Sequence, residues 1–474
     1  MENFAYPKLM KYFEEISAIP RASGHEERIA EYLVAFAKRH GFSFVRDEVN
    51  NVLISAPATE GFEGCAPVLL QGHTDMVCEK NAGVAHDFSK DPLSLYEENG
   101  WIRARGTTLG ADNGVAVAMM LAILDGEAHP PLECLFTTSE EIGLDGAIAF
   151  DYRRISARRM INMDGADDTG IIIGSAGGAC SDLTLRGVKA PTDRLCVRLS
   201  VRGLTGGHSG EDIHRGRANA NRLLGEILGA LGLTQRVLLV SVDGGSKDNA
   251  IPREATAVVS VADFDVAKAM ADEVWRKLRR NFCEEDANAE LSLTRCESSY
   301  PCFDDEMTAK VITFLSHVPN GVFAFEPTME GFVQFSRNLG VVRTEGECVI
   351  FTFSSRSAKE SQVDASLSEL EGYAQRLGGE ICHHGRYPAW EVAEHSELQG
   401  VYADVFRSLF GRELRMESIH AGLECGVIKQ AIPDMDLLSC GPVIENLHSP
   451  EERLNKASLE RFYRLITEVL KRMK

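Results

Sequence analysis

The stretch PVLLQGHTDMV, residues 67–77, is a short apolar run that ends at a histidine and an aspartate. Similar runs occur at NVLIS (51–55), LECLFTT (132–138) and RMINMD (159–164), and the longer apolar segment ADNGVAVAMMLAIL (111–124) lies among them. Short apolar runs are typical of buried strands, whereas the longer segment has the length of a helix. The alternation predicts an α/β domain with a mixed, largely parallel sheet.

Upstream of this stretch, the segment HEERIAEYLVAFAKRHG (25–41) carries apolar residues at helical spacing. Ser23, just before the segment, and Glu26, its second residue, have the spacing of a capping box, in which two side chains satisfy backbone N–H groups at a helix start. We therefore predict a helix in this segment, capped by Ser23 and Glu26.

Downstream of residue 183 the pattern changes to alternating, strand-like segments separated by helices, as in LCVRLSVRG (195–203) and ATAVVSVAD (255–263). Near GGEICHHGRYPAW (378–390) the first pattern resumes, and it ends in an amphipathic helix. We predict an α+β lid domain (184–383) inserted between two parts of the catalytic domain (1–183 and 384–474).

The composition favours a folded, water-soluble protein. The chain has 474 residues, enough for two domains, and its net charge of −20 disfavours a nucleic-acid partner. Neither a signal-peptide pattern nor a run of about 20 apolar residues occurs, so we expect a cytoplasmic protein without a membrane role. The 12 cysteines are scattered without a CxxC pair, which predicts reduced thiols.

Histidines and carboxylates lie at the ends of the predicted strands. His73 follows the first run, Glu140 and Glu141 follow LECLFTT, Asp164 ends RMINMD, and Asp112 opens the long helix. The carboxyl ends of parallel strands meet at one edge of a sheet, where loops converge on a ligand. With His448 in NLHSP (446–450), these residues predict a metal site, and Asp75 is placed to orient the His73 imidazole.

Charge counting indicates two divalent ions. The three carboxylates Asp112, Glu141 and Asp164 would leave one positive charge, which a bridging hydroxide neutralises. Glu140 then remains free as the general base. Oxygen-rich ligands with two imidazoles suit Zn²⁺, with Mn²⁺ or Co²⁺ as alternatives.

The motifs GHTDMV, LGADNG, SEEIGLDGA and NMDG, with a late histidine, resemble the co-catalytic metallopeptidases that include glutamate carboxypeptidase and carnosinase. QGHTDMVCEKN (71–81), TGGHSGEDIHRGRANAN (205–221) and HAGLECG (420–426) are similar, more narrowly, to bacterial aminoacyl-histidine dipeptidases. The resemblance covers nearly the whole chain and implies hydrolysis of dipeptides, especially aminoacyl-histidine ones.

The resemblance also implies individual roles. Asp112 would bridge the two ions, with His73 and Asp164 completing one set of ligands and Glu141 and His448 the other. Within the lid, His208 would stabilise the oxyanion, in its own subunit or across a homodimer, and Asn249 and Arg356 would hold the substrate. Gly422 of HAGLECG, in the second part of the catalytic domain, would let the backbone approach the substrate closely. Arg356 suits a substrate carboxylate because a guanidinium can bind it with two hydrogen bonds.

Two segments depart from the family pattern, QFSRNLG (334–340) where T-S-x-N-L is expected and YPAW (387–390) where FPGW is expected. These departures from the pattern bear on which dipeptides the protein prefers more than on how it would hydrolyse them. The alternatives are an N-acyl-amino-acid deacylase, a tripeptide aminopeptidase and a non-catalytic metal-binding paralogue. A nucleotide enzyme is disfavoured, because GSAGGAC (174–180) lacks the G-x-G-x-x-G spacing.

Overall fold

The first part of the chain alternates helices and strands, as its sequence pattern predicts. The structure, a computed structural model, describes residues 4–297, 300–327, 329 and 331–474. The elements up to Ser175 are the helices α1 (Pro7–Ser17), α2 (Glu27–His40), α3 (Ala111–Leu124) and α4 (Asp145–Ala149), and the strands β1 (Ser43–Arg46), β2 (Val52–Ala56), β3 (Val68–His73), β4 (Leu95–Glu98), β5 (Trp101–Ala104), β6 (Leu132–Thr137), β7 (Arg159–Asn162) and β8 (Gly170–Ser175).

The middle part of the chain is rich in longer strands. Its elements are the helices α5 (Ala220–Thr234), α6 (Phe264–Leu278), α7 (Asp305–His317) and α8 (Glu360–Leu377), and the strands β9 (Gly177–Arg186), β10 (Lys189–Ala190), β11 (Leu195–Arg202), β12 (Gly207–His208), β13 (Leu238–Gly244), β14 (Ala250–Ile251), β15 (Ala255–Val261), β16 (Glu290–Arg295), β17 (Cys302–Phe303), β18 (Gly321–Phe325), β19 (Val333–Glu345), β20 (Cys348–Ser357) and β21 (Glu380–Tyr387).

The last part of the chain returns to the first pattern. Its elements are the helices α9 (Glu397–Phe410), α10 (Glu424–Ala431) and α11 (Lys456–Arg472), and the strands β22 (Arg415–Ile419), β23 (Asp436–Ser439), β24 (Ile444–Glu445) and β25 (Arg453–Asn455).

These parts form two compact units. Unit 1 contains the described residues up to Ser175 together with Trp390–Ser418 and Leu423–Lys474, and unit 2 contains Ala176–Ala389 and Ile419–Gly422. Among the described residues, none of the helices is both long and apolar enough to cross a lipid bilayer.

Unit 1 is built on a mixed sheet, which confirms the predicted α/β class. Its strand order is β1-β2-β6-β3-β7-β23-β8-β22, and the parallel pairs are β6 with β3, β3 with β7, and β7 with β23. The flanking pairs β1 with β2, β2 with β6 and β23 with β8 are antiparallel. The parallel part is therefore the centre of the sheet, where strand ends align.

Helix α3 lies in the core of unit 1. Every one of its residues except Asp112 is buried, and the helix packs against β3 and α1. A helix that is apolar on all sides is stable only inside a protein, because each buried Leu or Met contributes about 2 kcal/mol. Burial of α3 thus fixes Asp112, the one residue of the helix that is not buried, near its N-terminus and beside the end of β3.

Unit 2 has an antiparallel sheet and helices, the α+β arrangement that the sequence predicts. Its main sheet has the order β16-β11-β15-β13-β19-β20-β9-β21, with β18 paired to β19. Residues of α5, α6, α7 and α8 share one apolar core with inward-facing residues of this sheet. The two-residue strands β12 and β14 pair outside it and hold His208 opposite Ala250.

Candidate active site

The candidate metal ligands of unit 1 meet at one edge of its sheet. Among the residues that the structure describes, three groups of histidine and carboxylate side chains have ligand atoms within 4.8 Å of one another. The groups are His73, Asp112 and Asp164; His73, Glu140 and Glu141; and Asp112, Glu141 and His448. The structure therefore brings together all six histidines and carboxylates that the sequence proposes for this centre.

Asp112 stands between the two histidines. Its Oδ1 lies 3.1 Å from His73 Nε2, and its Oδ2 lies 3.3 Å from His448 Nε2. His73 Nε2 is also 3.4 Å from Asp164 Oδ1, and His448 Nε2 is 3.1 Å from Glu141 Oε1. One carboxylate thus offers a separate oxygen to each of two ligand groups.

Asp75 supports more than the His73 imidazole. Its Oδ1 lies 3.2 Å from His73 Nδ1 and also accepts the backbone N–H of Glu140 at 3.0 Å. Its Oδ2 accepts the N–H of Glu141 at 3.2 Å and the hydroxyl of Ser23 at 2.8 Å. This fully buried carboxylate fixes the histidine and the Glu140–Glu141 turn against one another.

The loops that present the site contain strained backbone. Ser139, which precedes Glu140, has φ +52°, and His448 has φ +59°. The left-handed region costs a residue with a Cβ roughly 1–2 kcal/mol. Such conformations cluster at functional sites, where the surrounding structure enforces them.

Crowding of acids shifts the protonation of the centre. Burial raises the pKa of Glu140 well above that of an ordinary carboxyl, and Asp164 and Glu424 add to the increase. Burial, with Asp112 and Glu141 nearby, also raises the pKa of Asp164 to about 6. The neighbouring carboxylates of Asp112 and Glu141 raise the pKa of His448 to about 10. Divalent cations would relieve this repulsion between carboxylates.

A second polar layer lies beneath the centre. Glu424, fully buried, accepts hydrogen bonds from Gln71 and from Thr137, the latter at 2.8 Å. Asn162 donates to Gln71 Oε1 at 2.6 Å. Glu424 is absent from the three ligand groups.

The predicted capping box is wrong. Helix α2 begins at Glu27, and no side chain caps its N-terminus. Ser23 donates instead to Asp75, and Glu26 Oε1 accepts the N–H of Ser139 at 2.9 Å. The local cap does not form because both side chains make hydrogen bonds with residues that are distant in sequence, Ser23 with Asp75 and Glu26 with Ser139.

The four substrate-binding candidates all lie in unit 2. Asn249 contributes its backbone carbonyl, which accepts the N–H of Ser209, the residue after His208, at 2.8 Å. The positive charge of Arg356 adds to the effect of burial in lowering the pKa of His208, so these two groups lie near one another. Gly422 lies beside Tyr387.

Tyr387 connects Arg356 to Gly422. Its hydroxyl accepts a hydrogen bond from Arg356 Nη1 at 2.6 Å, and its ring fills the space beside Gly422, where a Cβ would lie 2.8 Å from Cε2. Arg356 is 8% exposed, and its Nε has no hydrogen-bond partner among the described residues. Gly422 is therefore required by the tyrosine ring, a reason different from the close backbone approach to substrate that the sequence analysis implies.

The departure QFSRNLG and residues 387–389 of the departure YPAW lie in this part of unit 2, whereas Trp390 belongs to unit 1. Within QFSRNLG, Ser336 hydrogen-bonds His420 Nε2 at 2.7 Å, and Asn338 donates to the Ala250 carbonyl at 2.8 Å. Burial, with Arg356 nearby, lowers the pKa of His420 to about 3, so this ring is neutral. In YPAW, Tyr387 supplies the hydroxyl bonded to Arg356.

Comparison with known proteins decides the family. The profile described as Peptidase family M20/M25/M40 matches residues 69–472, most of the chain. The chain belongs to this M20 peptidase family. A curated relative of this M20 peptidase is the cytosol non-specific dipeptidase of Escherichia coli (strain K12), 38% identical over 469 residues, which are 98% of this chain and 97% of that one.

Solved structures agree. The aminoacylhistidine dipeptidase from Vibrio alginolyticus matches this M20 peptidase with a TM-score of 0.90 and 34% identity, covering 99% of this chain and 97% of that one. The aminopeptidase PepT from Bacillus cereus matches with a TM-score of 0.58 and 15% identity, covering 99% of both chains. The latter likeness shows the shared fold alone.

Sequence reasoning missed the supporting residues Arg21, Gln71 and Glu452. One weak signal was present, because Gln71 and Asn162 stand two residues before His73 and Asp164 on otherwise apolar strands. Polar residues in buried strands need partners, which implies a second polar layer. Arg21 and Glu452 carry no local pattern that separates them from surface charges.

Proposed function

We propose that this M20 peptidase is a dipeptidase that hydrolyses the peptide bond of dipeptides with two divalent metal ions. The observation that carries the proposal is the pair of ligand groups that share Asp112, with Glu140 beside them. The E. coli relative, a non-specific dipeptidase by name, and the Vibrio aminoacylhistidine dipeptidase support the substrate class. Aminoacyl-histidine dipeptides such as carnosine are our leading substrates.

The donor set fits two ions. We assign His73 and Asp164 to one ion, Glu141 and His448 to the other, and Asp112 to both. His448 Nε2 and Glu141 Oε1 approach to 3.1 Å, yet the buried Glu141 oxygen makes no hydrogen bond among the described residues, as expected of two ligands that face a common cation. When bound, the ions would supply Lewis acidity, lowering the pKa of a water molecule and polarising the substrate carbonyl.

Glu140 is the proposed general base. Its carboxylate would accept a proton from the attacking water and return it to the leaving amine nitrogen, so that water is added across the C–N bond. Burial and neighbouring carboxylates raise its pKa, which strengthens it as a base toward water. Asp75 would act as a positioning residue, because it holds both His73 and the backbone of Glu140.

Unit 2 supplies the proposed substrate contacts. Arg356 would bind the C-terminal carboxylate of the dipeptide, since its guanidinium is largely buried and retains an unused Nε. We assign His208 to the oxyanion, and Asn249 and the backbone at Gly422 to substrate positioning. The proposed lid keeps the bounds predicted from the sequence, 184–383, and these residues lie within unit 2 (Ala176–Ala389 and Ile419–Gly422).

We make three further proposals, which concern the native metal, the oligomeric state and the location of the protein. We propose Zn²⁺ as the native metal, because imidazole with carboxylate suits zinc, and Mn²⁺ or Co²⁺ as substitutes. We also propose a homodimer, in which His208 acts within its subunit or across the interface. A cytoplasmic location agrees with the name of the E. coli relative.

The first test is Glu140→Gln, with the exposed Glu48→Gln as the matched control. Loss of the proton acceptor should lower kcat on dipeptides by about 10²–10⁴-fold, the usual contribution of general acid–base catalysis. Metal content, measured by atomic absorption, should stay the same in both variants. Full activity in Glu140→Gln would refute the base assignment.

Substrate class needs a separate assay. Purified wild type is tested on carnosine, other dipeptides, tripeptides and N-acetylated amino acids. We expect turnover of the dipeptides with a free amino end. Turnover of acetylated amino acids alone would make the protein a deacylase, and turnover of tripeptides alone would make it an aminopeptidase.

A further inference from the structure

Glu452 is a buried carboxylate four residues after His448. It lies just before β25, and only 2% of its surface is exposed. Its Oε2 accepts the backbone N–H groups of Leu109 and Gly110, at 2.8 and 2.9 Å. Its Oε1 accepts those of Ala111 and Asp112, at 2.8 and 3.3 Å. One side chain therefore binds four consecutive amides of the turn that carries Asp112.

Arg21 holds the same turn from its other side. Its Nη2 donates to the Gly110 carbonyl, while Nη1 donates to the carbonyls of Thr74 and Asp75, at 2.9 and 3.0 Å. Burial lowers the pKa of this guanidinium, and the carboxylate of Glu452 opposes that effect more than any other group. Two buried side chains of opposite charge thus hold the backbone of Gly110, Glu452 at its N–H group and Arg21 at its carbonyl.

The backbone N–H groups of this turn depend on Glu452 as their hydrogen-bond acceptor. The amides at 109–112 precede or open α3, so they lack intrahelical acceptors. Leu109, Gly110 and Ala111 are buried, which keeps water from replacing a lost acceptor. Gly110 has φ +63°, and a Cβ there would lie 2.5 Å from Arg21 Nη2, so this position of the turn requires glycine.

We propose that Glu452 is a positioning residue that ties the Asp112 turn to the His448 segment and so sets the separation of the two before any metal binds. The inference rests on the proposed function, because Asp112 and His448 are ligands only by our assignment. It adds a link through the backbone to the side-chain contact between Asp112 and His448, which belong to distant parts of the chain.

The test variant is Glu452→Gln, and the neighbouring Glu451→Gln is its matched control. Glutamine keeps one acceptor oxygen and turns an NH₂ group toward two backbone N–H groups, whereas Glu451 is 68% exposed and faces Arg103. We expect the affinity for zinc ion, measured by competition with a chromophoric chelator, to fall about 10–100-fold in Glu452→Gln. We expect kcat to fall with it, KM to change less than about threefold, and Glu451→Gln to match wild type.

If Glu452 only stabilised the fold, Glu452→Gln would give a different result. It would lower the midpoint of thermal unfolding while leaving the zinc affinity of the folded protein unchanged, and that result would overturn the proposal. The outcome is distinct from failure of the proposed function, because zinc affinity is measured without substrate. Loss of turnover in Glu140→Gln together with normal zinc binding in Glu452→Gln would keep the function and remove the positioning role.

Hydrogen exchange covers the case in which Glu452→Gln does not fold. In metal-free wild type, the amides of residues 109–112 should exchange at least tenfold more slowly than those of an unstructured peptide, because a buried carboxylate binds them. Exchange as fast as in an unstructured peptide would show that the turn is not held without metal. That result would overturn the proposal with no variant at all.

Discussion

At the residue scale, one hydroxyl gives Arg356 a fixed orientation. Tyr387 accepts its hydrogen bond at 2.6 Å, and the ring is held in the space beside Gly178 and Gly422. A guanidinium held in place loses less freedom when it binds a carboxylate, so preorganisation favours substrate binding. The tyrosine stands where the family pattern leads one to expect phenylalanine, which would lack this bond.

Tyr387→Phe should therefore weaken substrate binding with little effect on chemistry. Loss of one charge-assisted hydrogen bond corresponds to about 1–2 kcal/mol, or a KM raised roughly five- to thirtyfold. Steady-state kinetics on a dipeptide measures this, with kcat expected within about twofold of wild type. Tyr373→Phe, in a ring that packs against Phe314, is the control. An unchanged KM would remove Tyr387 from substrate binding.

At the element scale, three parallel strands deliver both the site and the layer beneath it. Strand β3 carries Gln71 before His73, and β7 carries Asn162 before Asp164, while β6 ends at Thr137, three residues before Glu140. Since side chains alternate along a strand, residues two apart share a face. Glu424, from the start of α10, joins this layer and links the strand ends.

Glu424→Gln should change how stability depends on pH. Burial raises the pKa of Glu424 to about 7, above the value of about 4.3 in an unfolded chain. The folded protein therefore binds the proton more tightly, and this stability, complete below about pH 4, is lost as the pH rises toward 7. From pH 5 to pH 8, the variant should gain on the order of 3 kcal/mol of unfolding free energy relative to wild type.

Urea unfolding of the metal-free proteins at the two pH values measures this difference. The substitution also changes the unfolding free energy by an amount that does not depend on pH, because it places an amide where Glu424 Oε1 has no hydrogen-bond partner among the described residues. Taking the difference between the two pH values removes this constant amount. Glu63→Gln, on a residue at the surface, serves as the control and should show no such pH-dependent gain. Equal pH dependence in wild type and Glu424→Gln would contradict a buried, proton-binding Glu424.

At the scale of the whole molecule, unit 1 consists of segments that lie before and after unit 2 in the chain. His73, Asp112 and Asp164 precede the middle part of the chain, and His448 follows it. Two divalent ions would join these distant segments and neutralise carboxylates that repel one another. Metal binding to the folded state alone stabilises that state by mass action.

Removal of metal should therefore reduce both activity and stability. After dialysis against a chelator, we expect activity to be lost and the unfolding midpoint to fall, because ions at 100 times their dissociation constant contribute about 2.7 kcal/mol per site. Restoring Zn²⁺, Mn²⁺ or Co²⁺ separately, and measuring turnover and midpoint, identifies the ion that acts. Unchanged activity in protein shown to be metal-free would exclude a metal mechanism.

The elements were predictable where the pattern was long and strong. The apolar segment 111–124 coincides with α3, and the runs before His73, Glu140 and Asp164 are β3, β6 and β7. The prediction from Ser23 and Glu26 failed because a capping box considers only neighbours in sequence. Their actual partners are Asp75 and Ser139, which a local pattern cannot reveal.

The sequence by itself determined the α/β class, the strand ends that carry the histidines and carboxylates, and the resemblance to metallopeptidases, because periodicity and motif spacing are local properties of the chain. Only the tertiary structure decided that Asp112 offers one oxygen to each histidine, that Asp75 also holds the Glu140 turn, and that Glu452 binds four amides 340 to 343 residues away. These contacts depend on how distant segments pack, and burial gives them their strength by excluding the water that would otherwise compete.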